Sequence, residues 1–334
     1  MKVITFPSII EENESELKNV FKNLVDGIKI HFKNESYVVG KLAATEGISP
    51  HKIINCSPAD DDYKILALSS ILLAGHGGEQ PLNLTVGFPF STYQSYRDET
   101  IEFLQGKHEI RFDKFSIGKV TTDKVTIEVA SVNVLPEIIG CAFAFKDYTA
   151  TNGNIFVVNL GFGTFEACLT NESGIISRTV ISKKGLQYAI DMAIKELNKT
   201  NYLGMRTENQ FDPEFQKGSL FLNRKKMDIT ALRQNVLERY YKEVISPAIR
   251  NAWTDTDFST SSSMYIAGGG AFYAELIASF KAEFGDMLDI QVLNEPHLAT
   301  AKGYFSNAVK NAQGDTKPVG IDIGNAQTVI ISNS

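Results

Sequence analysis

The stretch VGIDIGNAQTVIISNS, from Val319 to Ser334, is the most informative part of this sequence for the fold. Two apolar, largely β-branched runs flank a short polar segment that contains Gly324, which predicts two strands joined by a tight turn. The stretch VVNLGFGTFEACL, from Val157 to Leu169, has the same order of strand, amide or acid residue, glycine turn and strand. The chain therefore contains two related hairpins, one near residue 155 and the other near residue 319.

Paired hairpins of this kind predict a site for a phosphate chain. Glycine turns expose backbone N–H groups that form anion-binding concavities, and they let a ligand approach the backbone closely. A carboxylate just before the turn, such as Asp322, can hold the water shell of Mg²⁺. A third segment, Ile266–Ala271 (IAGGGA), predicts a strand, a triple-glycine turn and the start of a helix, which could contact a nucleoside or a phosphate.

Length and composition exclude several protein classes. The chain has 334 residues, 43% of them hydrophobic and 22% charged, and this is typical of a globular protein of about two domains. Its net charge of −6 argues against direct, non-specific DNA binding, which depends on Lys and Arg. The apolar stretch Ile65–Ala74 is far shorter than the ~20 residues of a membrane-spanning helix. Since the N-terminal segment also lacks a signal-peptide pattern, we expect a cytoplasmic protein with no membrane partner.

Cysteine and histidine spacing excludes further chemistry. The three cysteines form no CxxC pair, and the five histidines contain no HExxH motif. Neither a zinc site nor a disulfide framework is indicated. The phosphate-binding pattern GxxxxGK[ST] is also absent from the sequence.

Periodicity outlines the remaining organisation. The spacing of apolar residues predicts helices over Glu14–Val25 and Ile229–Trp253. Pro136 is predicted to open another helix, which ends near Phe145. The polar, turn-rich segment Asp147–Asn154 predicts a domain boundary.

These motifs together resemble the ATPase superfamily that includes actin, the heat-shock chaperone ATPases and the sugar kinases. Within it, the sequence is most similar to bacterial plasmid-segregation proteins of the ParM type. Ile321–Asn325 (IDIGN) resembles the first phosphate loop, Val158–Thr164 (VNLGFGT) the second, and Ile266–Ala271 the adenosine loop. Val86–Pro89 (VGFP) and Ala299–Tyr304 (ATAKGY) match two further segments of this subgroup.

The resemblance implies a fold and a domain organisation. We expect an α/β, two-domain actin-like fold, related to ribonuclease H, with a nucleotide cleft between the domains. Domain I would comprise residues 1–150 and 300–334, with a small subdomain at about 9–58. Domain II would comprise residues 151–299, with a small subdomain at about 188–262.

The order of the motifs departs from this family. The first phosphate loop normally opens the chain, whereas here it follows all the other motifs. If the end is joined to the start, VGIDIGNAQTVIISNS–MKVITFPSII reads as the family's first three strands. We therefore predict a circular permutation, which surface turns between strands tolerate; the alternative is a C-terminal hairpin of unrelated origin.

The resemblance also implies roles for individual residues. Asp322 would lie near Mg²⁺, which it would hold through water, and near the β- and γ-phosphates. Glu137 would be the catalytic residue that orients the attacking water; its alternative role is that of a first-turn acid favoured by the helix dipole. The remaining cofactor-binding candidates are Gly324, Asn325 and Gln327 in the first loop, Asn159, Gly161, Gly163 and Thr164 in the second, and Gly268, Gly269 and Gly270 in the third.

Asn159 differs from the family pattern, which usually has Asp at this position of the second phosphate loop. An amide keeps the shape of the side chain and loses its charge. ATP binding therefore follows from the resemblance more directly than fast hydrolysis does.

Three functions are compatible with these motifs. The first is an ATP-dependent filament, with ATP and Mg²⁺ as cofactors, which segregates plasmid DNA through a DNA-binding adaptor protein. The second is an actin-like scaffold that binds ATP without hydrolysing it. The third is a phosphotransferase similar to sugar or acetate kinases, which would need a catalytic base that the sequence does not reveal.

Overall fold

The computed structural model describes residues 1–17, 21–52, 55, 57–114, 122–149, 153–199, 203, 208–222 and 224–333. The chain separates into two compact units, each described by itself below. Unit 1 comprises Met1–Ala144 and Thr300–Ser334, and unit 2 comprises Phe145–Ala299.

The strands and helices are numbered in chain order. The strands are β1 (Lys2–Pro7), β2 (Ile9–Glu12), β3 (Lys29–Phe32), β4 (Glu35–Val39), β5 (His51–Lys52), β6 (Leu82–Phe88), β7 (Gly106–Asp113), β8 (Thr122–Pro136), β9 (Asn154–Leu160), β10 (Thr164–Asn171), β11 (Gly174–Ile175), β12 (Ile181–Lys184), β13 (Ser219–Leu222), β14 (Lys225–Asp228), β15 (Ser261–Ala267), β16 (Asp289–Val292), β17 (Lys317–Ile323) and β18 (Gln327–Ser332). The α-helices are α1 (Lys41–Glu46), α2 (Asp61–Gly75), α3 (Tyr93–Leu104), α4 (Glu137–Thr149), α5 (Gln187–Asn198), α6 (Glu208–Lys217), α7 (Thr230–Tyr240), α8 (Ser246–Ala252), α9 (Asp255–Ser259), α10 (Ala274–Phe284) and α11 (Ala299–Lys310).

Unit 1 is built on a ten-stranded mixed sheet of order β1-β18-β17-β6-β8-β7-β3-β4-β2-β5. Strands β17, β6 and β8 run parallel, whereas β17, β18 and β1 form an antiparallel meander. The predicted hairpin at the end of the sequence is thus present. The parallel register brings the carboxyl ends of β17, β6 and β8 to one edge of the sheet.

Close packing of α11 fixes that edge. A Cβ atom on Gly303 would lie 1.8 Å from the carbonyl oxygen of Gly140 on α4, so the two helices can touch only through bare backbone. The fully buried Tyr304 occupies the space beside Gly87. A Cβ atom added to Gly87 would lie only 2.0 Å from the Tyr304 hydroxyl oxygen. The glycines of VGFP and ATAKGY therefore serve interior packing.

Unit 2 contains a second sheet, with the order β11-β10-β9-β15-β16 and with β12 paired to β10. The predicted antiparallel arrangement of β9 and β10 is observed, and β15 adds to β9 in parallel. A helical region from α7 to α8 covers most of the predicted Ile229–Trp253 helix, with one π-helical turn at Tyr241–Ile245.

The predicted helix over Glu14–Val25 is wrong for the described part of that range. Residues 14–17 and 21–25 are not helical, and residues 18–20 lie outside the described residues. The Glu14 carboxylate accepts hydrogen bonds from the N–H and the hydroxyl of Ser36 on β4, which hold this segment against the sheet. Tertiary hydrogen bonding therefore overrides the local periodicity.

Candidate functional site

Two of the predicted residues lie at the edge of the unit 1 sheet. In the register of the sheet, Gly320 is opposite Thr85, and Phe88 is opposite Pro136. Asp322 follows Gly320 by two positions, and Glu137 directly follows Pro136 as the first residue of α4. With β6 between them, the two acids are separated across the sheet by about two strand spacings, roughly 10 Å.

Asp322 has the electrostatics of a ligand-binding carboxylate. It is half-buried, and its carboxyl group forms no hydrogen bond with the described residues. Burial of the carboxyl group raises its pKa to about 7, because a charged carboxylate is poorly solvated there. A cation or a hydrated cation would stabilise the charged form, so the site is suited to one.

The turn after Asp322 is fixed by backbone hydrogen bonds. The Gly324 N–H donates to the Gln327 carbonyl (3.1 Å), and the Ser8 N–H donates to the Ala326 carbonyl (3.2 Å). Beneath the turn, the Ser8 and Thr328 hydroxyls form a buried hydrogen bond of 2.9 Å. Within the described chain, no acceptor is found for the N–H groups of Asn325 and Ala326, so the turn keeps two donors for a ligand.

The side chain of Asn325 has a partner within the protein. Its amide oxygen accepts from the Asn55 N–H (2.9 Å), and its amide nitrogen donates to the Asn55 side-chain oxygen (3.0 Å). Asn55 is in the left-handed region, with a φ of 50°. Neither Ser8 nor Asn55 was expected at this site, because their contacts join positions far apart in the sequence. Gln327 is exposed beside the turn.

The remaining candidates lie at one edge of the unit 2 sheet. Asn159 on β9 is opposite Ala267 on β15, close to the carboxyl end of each strand. Because the two strands are parallel, these ends lie at the same edge of the sheet. Asn159 is buried, and on its other side it is opposite Glu166 of β10, which is fully buried. Since directly opposed residues share a face of the sheet, the Glu166 carboxyl lies on the same face as the Asn159 amide. Glu166 is not among the residues that the sequence motifs predict for this site.

The second glycine turn has all three of its carbonyl groups engaged within unit 2. The carbonyls of Gly161, Phe162 and Gly163 accept hydrogen bonds of 2.9–3.0 Å from the N–H groups of residues 185–187, just before and at the start of α5. Within the described chain, no acceptor is found for the N–H groups of Gly161 and Gly163. These two N–H groups are therefore available to an anion. Thr164 follows as the first residue of β10.

The three glycines at residues 268–270 differ in how much space surrounds them. Gly268 has a φ of +85°, and a Cβ there would lie 2.5 Å from the Leu160 carbonyl oxygen. Gly270 is also enclosed, because a Cβ atom added to it would lie 2.6 Å from the Cβ of Leu160. Gly269, between them, is exposed, and a Cβ would meet nothing within 4 Å. The loop is therefore packed at its ends and open in its middle, where a ligand can approach the backbone.

The donor set fits a magnesium ion held mainly by phosphate and water. Within the described ranges there is no cluster of three or more His, Cys, Asp or Glu side chains that could enclose a metal ion. Mg²⁺ is usually bound through one or two carboxylates together with phosphates and waters. Asp322, which has no partner of its own, fits that requirement.

None of the helices in the described part of the chain is long and apolar enough to cross a bilayer.

Comparison with known proteins identifies the fold. Residues 1–140 match the family model for the N-terminal domain of actin-like proteins. The sequence has no significant match among curated proteins. Solved structures match over nearly the whole chain, at low sequence identity.

Three structures illustrate this similarity. The archaeal actin homolog Ta0583 has 16% identity and a TM-score of 0.70, covering 92% of each chain. A non-polymerisable quadruple mutant of pCBH ParM has 19% identity and a TM-score of 0.73, covering 91% of this chain and 92% of that one. A 15-stranded ParM filament from Clostridium botulinum has 17% identity and a TM-score of 0.71, with the same coverage. Ta0583 has also been solved in complex with ADP.

These matches confirm the predicted fold class, a two-domain α/β actin-like fold. At 14–19% identity they establish the fold alone, so the activity has to be argued from the site itself.

Proposed function

We propose that this protein binds ATP and Mg²⁺ and assembles into nucleotide-dependent filaments. The observation that carries the proposal is the turn at residues 161–163, whose three carbonyls are engaged by residues 185–187. The N–H groups of Gly161 and Gly163, which have no acceptor within the described chain, suit the negative oxygens of a phosphate chain. The same fold in Ta0583 has been solved with ADP, which supports a nucleotide as the ligand.

Different loop residues would bind different parts of the nucleotide and its metal ion. The N–H groups of Gly161, Gly163, Asn325 and Ala326 would donate to phosphate oxygens, and the open Gly268–Gly270 backbone would contact the nucleoside. Asp322 would orient the waters of the bound ion through charge-assisted hydrogen bonds. When bound, Mg²⁺ would neutralise phosphate charge and so favour attack by water.

Hydrolysis would depend on Glu137. In the actin-like fold an acid at this helix start suits the task of orienting a water molecule and accepting its proton. Asn159 favours the second candidate, an actin-like scaffold that holds ATP without fast turnover. An amide orients the metal-bound water less strongly than a carboxylate does.

Filament assembly is the proposed consequence of nucleotide binding. ParM of Clostridium botulinum and Alp12 have been solved as filaments on this fold. A ligand that binds an assembly-competent conformation more tightly shifts the population towards it. The net charge of −6 disfavours direct contact with DNA, so segregation of plasmid DNA in the cytoplasm would need a DNA-binding adaptor protein.

We further propose that the chain is a circular permutant of the usual actin-like order. The meander β17-β18-β1 supports this, because β1 pairs with β18 from Lys2 opposite Ser332 to Pro7 opposite Gln327. A short linker could join strand ends that lie side by side in this way.

Nucleotide binding is tested by thermal unfolding with and without ATP and Mg²⁺. A ligand at a hundredfold excess over its Kd adds about 2.7 kcal/mol to the free energy of unfolding. Gly269→Asp should abolish the shift, because it places a carboxylate in the open middle of the loop. Gly153→Asp is the matched control, since its position is equally open but precedes β9 at the strand's opposite end.

Light scattering and electron microscopy with ATP then test assembly, and phosphate release tests turnover. An unchanged melting temperature would reject the nucleotide site. A shift without assembly would leave only a nucleotide-binding protein, and assembly without phosphate release would favour the scaffold.

A further inference from the structure

The hairpin formed by β13 and β14 stands apart from both larger sheets of the protein. Its base is fixed: the Ile229 N–H donates to the Gly218 carbonyl (2.9 Å), and Leu220 is buried. A two-stranded hairpin on its own is marginally stable, so this packing is what holds it in place. The other face of β13 carries Phe221, which is 61% exposed.

The turn end of this hairpin concentrates positive charge. Arg224, Lys225 and Lys226 are consecutive and all exposed, and Arg224 has a φ of 64°. In the described part of the chain none of the three forms an ion pair. Lys226 is directly opposite Phe221 and shares its face of the hairpin, whereas Lys225 alternates to the other face and Arg224 lies in the turn. We call these four residues at the end of the hairpin the basic tip.

We propose that the basic tip, formed by Phe221 and Arg224–Lys226, docks onto an acidic surface of a second copy of this chain. The inference rests on the assembly proposed above and assigns one of its contacts. An exposed aromatic ring beside charged side chains is typical of a protein–protein contact, in which the ring supplies affinity and the charges supply orientation and rate.

Charge complementarity favours a second copy over a nucleic acid. The chain has a net charge of −6 although this tip contributes three positive charges, so the rest of a neighbouring copy carries a net charge of −9. Three cations are few for DNA, where typical proteins neutralise about 6–10 phosphates.

A matched pair of charge reversals tests the contact. Lys225→Glu with Lys226→Glu should raise the critical concentration for assembly about tenfold and weaken its salt dependence, because attraction becomes repulsion. Lys22→Glu with Lys195→Glu changes the net charge equally at exposed lysines elsewhere and should leave assembly unchanged. ATP binding, followed by thermal shift, should be the same in both variants.

Photo-crosslinking separates this inference from the proposed filament. Phe221→benzoylphenylalanine should give covalent dimers attached at an Asp- or Glu-rich peptide of the second copy, and Lys225→Glu with Lys226→Glu should suppress them. The same probe at Met287, which is similarly exposed, is the control.

Dimers without filaments would support the tip and reject the filament. Filaments without these dimers, or assembly unaffected by the reversal, would overturn the tip. If the protein binds DNA, loses that binding in the Lys225→Glu with Lys226→Glu variant and gives no crosslinked dimers, the partner is a nucleic acid. This result would also overturn the proposed contact with a second copy.

Discussion

The side-chain oxygen of Asn159 lies so close to Gly268 that a Cβ atom added to this glycine would be only 2.6 Å from it. The end of β9 is therefore packed against the triple-glycine loop within unit 2, as the pairing of Asn159 with Ala267 requires. The residue that departs from the family pattern therefore also shapes the backbone of a neighbouring loop.

Gly268→Ala should destabilise unit 2. The added methyl would meet the Leu160 carbonyl and the Asn159 amide, and Ala disfavours a φ of +85°, so we expect a loss of about 1–3 kcal/mol. Gly269→Ala is the control, because its Cβ would enter open space, and it should change stability by no more than about 0.5 kcal/mol. Denaturant unfolding measures both variants, and equal stabilities would contradict the packing of this loop.

Glu137→Gln should slow phosphate release by about 10²-fold or more while ATP binding is retained. The amide keeps the shape of the side chain but cannot accept a proton from water. Asp255→Asn, in the first turn of α9, removes an equivalent helix-start charge and should leave phosphate release unchanged. If Glu137→Gln turns over at the normal rate, Glu137 only stabilises the start of α4.

Asn159→Asp should raise phosphate release and shorten the lifetime of filaments once ATP is consumed. A carboxylate orients the waters of Mg²⁺ more strongly than an amide, and the ion is the largest local charge. Without nucleotide the variant should be less stable, because the new charge is buried on the same face as Glu166.

Asn154→Asp, at the opposite end of β9, serves as the control for this substitution. Steady-state phosphate release and light-scattering decay at limiting ATP are the measurements. Equal or slower release in Asn159→Asp, with ATP binding intact, would show that the amide does not restrain hydrolysis.

Acid should weaken unit 2 through the pair of Arg178 and Asp257. Two hydrogen bonds from the guanidinium, of 2.9 and 2.5 Å, hold the pKa of the buried Asp257 carboxyl well below its usual range. A carboxyl with a lowered folded pKa contributes stability above its unfolded pKa of about 3.9, and loses it as pH falls towards the folded value.

Arg178→Met should therefore lower the melting temperature at pH 7, and its difference from the unsubstituted protein should shrink below about pH 4. Lys242→Met, at an exposed pair with Glu238, is the control and should give a small difference at every pH. A difference for Arg178→Met that does not change with pH would exclude the ion pair as its cause.

The sequence by itself determined the elements that local pattern specifies. The glycine turns between apolar runs predicted the hairpins β9–β10 and β17–β18, and Pro136 predicted the start of α4 at Glu137. Strand periodicity and turn chemistry act over a few residues, so they can be read from the chain directly. Resemblance to known motifs then indicated the fold, which the structural matches confirm.

Only the tertiary structure decided the features that depend on residues distant in sequence. The segment after Glu14 is not helical in its described part, because Ser36 binds the Glu14 carboxylate. The Asn325 side chain is held by Asn55, and Glu166 lies on the same face as Asn159 because their strands pair in that register. Hydrogen bonds and burial of this kind arise only when the chain brings separate strands together, so no local pattern encodes them.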